Sequence, residues 1–128
     1  MMCRGIRGAT TVDRNTEEEI MAATKELLEK MIAANDINPD YVASALFTTS
    51  PDLNAAFPAA AARALGWNQV ALMCGHEMNV PGSLPMCLRI LIHYNTDKRP
   101  EDLRHIYIKG ASNLRTFPEK GEGKQGDK

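Results

Sequence analysis

The stretch TEEEIMAATKELLEKMIAAN, residues 16–35, constrains the fold more than any other part of the chain. Thr16 with Glu19 three residues later forms a capping box, and three glutamates in the first turn put negative charge where a helix dipole is positive. Ile20, Thr24, Leu27, Leu28 and Met31 then recur on one side at helical spacing. A helix that is dry along one stripe and charged elsewhere must lie on a second layer. The rest of the chain therefore has to supply a surface for it to cover.

That surface reads as a sheet. RGIRGATTV at 4–12 opens it, with two arginines and two glycines in a strand-like run. YVASALFTT at 41–49 follows Asn38-Pro39-Asp40, a turn, and ends at Ser50-Pro51-Asp52. Phe57-Pro58 with AAAARAL predicts a short helix stopped by Gly66. QVALMC at 69–74, CLRILIHY at 87–94 and LRHIYIK at 103–109 read as three more strands, with Pro81-Gly82 a turn before the second. The predicted order is β-α-β-α-β-β-β, an α/β (α+β) chain with a mixed sheet of about five strands and both helices on one side. Residues 1–115 are expected to form a single domain, and 116–128, rich in Gly, Lys and acids without periodicity, a flexible C-terminal tail.

With 128 residues the chain can bury a core without disulfides or a structural metal. A net charge of -1 gives no electrostatic reason to expect nucleic acid or an anionic membrane as partner, and no stretch approaches the length of a membrane span. Cys3, Cys74 and Cys87 cannot all pair within one chain, and Arg4 and Arg7 interrupt the N-terminal apolar stretch, so no signal-peptide pattern is present. A reducing, cytoplasmic location is the expectation.

Three arginines stand apart from the solvated charges. Arg7 is enclosed by glycines and apolar residues, Arg115 ends the last ordered segment, and Arg89 sits in the most hydrophobic strand, on one face with Cys87 and Leu91. A guanidinium facing a pocket can hold a carboxylate through two parallel hydrogen bonds. The same arginines can instead emerge at sheet edges, pair with Glu77 or Asp52, or reach out to solvent. Cys74-Gly75-His76-Glu77-Met78 brings a thiol, an imidazole and a carboxylate together. No CxxC or HxxxH cluster completes a zinc site, and neither an orienting Asn or Asp nor an oxyanion-hole motif completes a Cys–His nucleophile. Cys74 and Glu77 can hydrogen-bond a ligand hydroxyl, or be a packed thiol and a surface acid. Tyr107, on a strand face, can donate to an anion or fill core.

Taken in order, RGIRGATTV, TEEEI, SPDLNAAFPAAAAR, the 74–78 run, CLRI and RHIYI…LR resemble the monofunctional AroH-type chorismate mutases over residues 1–115. The resemblance implies a homotrimer whose sheets form a pseudo-barrel, with active sites in clefts between subunits. It implies no metal and no cofactor, and chorismate as substrate. Arg7 matches the arginine that grips a substrate carboxylate and Tyr107 the phenol that assists it. Arg89 matches the cation beside the breaking ether bond, and Glu77 with Cys74 the pair at the ring hydroxyl. Phe57 and Arg63 match the pocket wall and mouth, and Leu114 with Arg115 the segment that closes over the ligand. The chain departs from the family at Ala60, where relatives can carry a lysine, at His76, where a glutamine can occur, and by one residue fewer before Gly66-Trp67.

The implied reaction, chorismate to prephenate, is an intramolecular [3,3] rearrangement in the route to phenylalanine and tyrosine. It needs a held conformer and a cation where the ether oxygen gains charge. A trimeric module that binds a small carboxylate without converting it would use the same arginines, as would an imine-hydrolysing deaminase on a comparable scaffold.

Overall fold

The structure is a computed structural model and describes residues 1–114. The expected tail and Arg115 lie outside the described residues. The seven main elements follow the predicted order: β1 (Met2–Thr11), α1 (Glu17–Asn35), β2 (Val42–Thr49), α2 (Ala59–Ala64), β3 (Ala71–His76), β4 (Cys87–Thr96) and β5 (Ile106–Tyr107). The strands form one sheet in the order β3-β2-β4-β1-β5. β4 is antiparallel to both β1 and β2, whereas β3 and β5 add in parallel at the edges. The sheet is therefore mixed, as the sequence predicts.

The dry stripe of α1 behaves as its spacing requires. Ile20, Thr24, Leu27, Leu28 and Met31 are all buried, and Asn35 continues the stripe. Thr16 Oγ1 accepts from the Glu19 amide at 3.1 Å. The reciprocal half of the capping box does not form among the described contacts: the Thr16 amide donates to Arg14 O, and the Glu19 carboxylate lies 3.8 Å from the Arg14 guanidinium. α1 covers the sheet face made by Ile6, Phe47, Leu88, Ile90 and Ile92. Gly8 makes that contact close: a Cβ there would lie 2.5 Å from Met31 Sδ. Gly5 has no such neighbour.

All five strands shift at one end or both from the sequence reading, the third and the last most. The third strand starts at Ala71 rather than at residue 69. Gly66, at φ +99, closes α2 with Trp67 N–H donating to Ala62 O, and Trp67 turns into the core before pairing with β2 begins at Ser44↔Ala71. The last strand keeps only two of seven expected residues. The side chain of Asn35 occupies the Arg104 backbone in both directions, and Lys109, at φ +53, turns the chain into a 3-10 turn.

Helices cover one face of the sheet. The other carries Arg7, Leu46, Thr48, Arg89 and Leu91, which are half-buried. No described helix is long and apolar enough to cross a membrane.

Candidate active site

On the face without helices, strand register decides which side chains meet. In the antiparallel ladders Arg89 stands opposite Thr48 of β2 on one side and Ala9 of β1 on the other. Ala9 in turn pairs with Tyr107 of β5. Arg7, two residues before Ala9, points to the same face. Together Arg7, Thr48, Glu77, Arg89, Leu91 and Tyr107 line a cavity of about 270 Å³.

Glu77 follows directly after β3 and is held by both ends. Its amide donates to Thr49 O at 2.8 Å, and Thr48 Oγ1 donates a short hydrogen bond to its carboxylate. The same carboxylate oxygen lies 3.8 Å from Arg89 Nε, near enough for charge attraction but too far for a hydrogen bond. Among the described residues Arg89 Nε is the buried side-chain nitrogen or oxygen without a hydrogen-bond partner. A buried donor costs free energy when unmatched, and Arg89 lines the cavity, where a ligand acceptor that reached Nε would satisfy it. Among the described residues the cleft sets two guanidinium groups beside one carboxylate, a lining that suits an anion.

Cys87 shares the Arg89 face, as alternation predicts. Burial pushes its thiol up from the ordinary value, with the Arg89 charge acting against the shift. A thiol held protonated in that way is packing, not a nucleophile. Among the described residues no three of His, Cys, Asp and Glu are grouped to hold a metal ion.

The remaining expected residues lie elsewhere. Phe57, Arg63 and Cys74, with Thr49 and His76, line a separate depression of about 500 Å³ that shares no residue with the first cavity. Cys74 packs toward the core, and its Sγ accepts from the Ala59 amide at 3.4 Å. Phe57 is 74% exposed. Leu114 closes a turn through its amide to Ala111 O and lines neither cavity, and Arg115 lies outside the described residues. One chain thus brings Arg7, Glu77, Arg89 and Tyr107 together and keeps Phe57, Arg63 and Cys74 apart from them. Thr48 was missed by sequence reasoning. Threonine is ordinary in a strand, and only the pairing of β2 with β4 sets it beside Glu77 and Arg89.

A family model described as chorismate mutase type I matches residues 3–117. The chain belongs to that family. It is 48% identical over 116 residues to the chorismate mutase AroH of Bacillus subtilis (strain 168), covering 90% of this chain and 91% of that one. It is also 48% identical over 115 residues to chorismate mutase AroH of Thermus thermophilus, covering 89% of this chain and 94% of the relative. A solved chorismate mutase from Clostridium thermocellum superposes with a TM-score of 0.85 at 50% identity, over 87% of this chain and 99% of that one. At that likeness the mixed sheet described above is that of a chorismate mutase fold.

Proposed function

We propose that the protein is a chorismate mutase, an isomerase that converts chorismate to prephenate in aromatic amino-acid biosynthesis. The observation that carries the reading is Arg89, whose buried Nε has no hydrogen-bond partner among the described residues and which lines a cleft with Arg7 and Glu77.

In the rearrangement a carbon–oxygen bond breaks while a carbon–carbon bond forms, with no proton transfer required. The task is to hold a dicarboxylate in its compact reactive conformer and to stabilise the charge that develops on the ether oxygen. Arg89 donates to that oxygen. Its donor is fixed before the substrate arrives, because Arg89 is half-buried in a central strand beside a carboxylate that Thr48 holds in place. Glu77 accepts a hydrogen bond from the ring hydroxyl. Arg7 grips a carboxylate, with Tyr107 as a second donor. The carboxylates are present before and during the reaction, so Arg7 acts mainly on binding and Arg89 on the barrier.

Phe57, Arg63 and Cys74 join this site from a neighbouring subunit of a homotrimer, with Leu114 and Arg115 closing over the ligand. The separation of the two groups within one chain supports this arrangement, as does the sheet face that no helix covers. Residues 1–115 act as the single catalytic domain. The cytoplasm is the proposed location, supported by three free cysteines.

The deciding experiment follows the loss of chorismate with purified protein in buffer containing a chelator. Turnover well above the spontaneous rate is expected. Absence of any acceleration would overturn the assignment.

A further inference from the structure

Arg7 can hold a carboxylate only if its own backbone is held; β4 pairs with β1 through Arg7↔Leu91 on one side, and the β5 side is the less regular one. The parallel ladder to β5 pairs Gly8 with Ile106 and Ala9 with Tyr107 and goes no further toward Arg7. Gly8, the next residue, has no side chain to anchor it. The Arg7 amide is nonetheless engaged: it donates to His105 Nδ1 at 2.9 Å. A backbone amide always brings a proton, so Nδ1 receives it with its lone pair. The imidazole stands where a continuing strand would offer a carbonyl.

His105 is itself placed by α1. Asn35, at the last turn of the helix and 2% exposed, grips the preceding residue from both sides. Its Oδ1 accepts from the Arg104 amide at 2.8 Å and its Nδ2 donates to Arg104 O at 2.9 Å. Nδ2 also donates to Met31 O at 3.0 Å, which fixes the amide against its own helix. A buried polar side chain with all these partners met is a rigid support.

We propose that His105 is a positioning residue for Arg7, set in place by Asn35, so that the C-terminal turn of α1 determines where the carboxylate-binding guanidinium sits. The proposal rests on the reading of Arg7 as the carboxylate clamp. The contacts form a continuous path from the Asn35 amide through the Arg104 backbone and the His105 ring to the Arg7 amide. A displacement of about 1 Å at a positioning contact can cost on the order of a hundredfold in rate.

The test is steady-state kinetics on chorismate with His105→Leu, which keeps bulk and removes the acceptor, and His105→Asn, whose Oδ1 falls close to the position of Nδ1. If His105 acts through Arg7, His105→Leu raises KM by about tenfold or more, and His105→Asn restores most of that loss. A purely structural role would reduce the fraction of folded enzyme, lowering apparent kcat with KM unchanged. That result, or an unaltered His105→Leu enzyme, would overturn the proposal. Arg7→Lys runs alongside. If it raises KM while His105→Leu does not, the positioning role alone fails; if it leaves both constants unchanged, the clamp itself is misassigned and the proposal falls with it.

Discussion

Arg89 and Thr48 illustrate how one carboxylate can serve two neighbours. Glu77 accepts from Thr48 and stays 3.8 Å from Arg89 Nε, so the guanidinium is attracted without being consumed. Replacing Arg89 by a neutral side chain of similar length, Arg89→Met, is expected to lower kcat by about 10²–10³, the usual effect of removing one preorganised donor to a developing oxyanion. Thr48→Val keeps the shape but releases the carboxylate to close on Arg89. A loss of about tenfold in kcat/KM should follow, as for a hydrogen bond to a charged group. Both are read by following chorismate consumption at varied substrate concentration. Arg7 and Arg89 stand out in the sequence as charges in strand-like runs, Glu77 as part of the Cys74–Met78 run and Tyr107 as a phenol on a strand face, while their expected roles come from the family resemblance. Thr48 and His105 do not stand out. Their roles arise from partners 29 and 98 positions away, which no local pattern records.

Elements follow the same logic. α1 was readable because its N-cap and its dry stripe are local. β3 and β5 were misplaced at their ends because the deciding partners, buried Trp67 and the side chain of Asn35, act through tertiary contacts. The fit of α1 on β1 yields a stability prediction. Gly8→Ala sets a Cβ 2.5 Å from Met31 Sδ and 3.2 Å from Leu27 Cδ1. Met31 can yield in part, so a cost of about 1 kcal/mol is expected, seen as a Tm lower by several degrees.

The loop after β2 has a pH signature. Asp52 accepts from Ser50 Oγ at 2.6 Å and from the Met86 amide, and these bonds hold its carboxyl below the ordinary value, with the Ser50 contact foremost. The stabilisation is present above the unfolded carboxyl pKa, about 3.9, and disappears as pH falls through the lower folded value. Asp52→Asn should therefore melt earlier than the parent at neutral pH. The gap should close in strong acid.

At the scale of the whole molecule, the proposed homotrimer makes assembly part of catalysis, because Arg7 and Arg63 line separate cavities within one chain. If each site takes Arg7 from one chain and Arg63 from its neighbour, Arg7→Ala and Arg63→Ala chains are each impaired. Mixed and reassembled in equal amounts, they should recover about one quarter of the parental activity, because that share of sites receives both intact residues. No recovery, or a solution mass other than three chains, would refute the shared site.

β1 and β4 run side by side for ten residues in unbroken register, from Met2↔Thr96 to Thr11↔Cys87. Sliding either strand by one position would send Arg7 or Arg89 through to the helical side. The ladder therefore behaves as a ruler that insertions and deletions must respect. Length changes can accumulate in the connections, which this ladder does not constrain. In a lineage of such proteins, loops are free to drift in length while the two central strands keep the spacing of the cations.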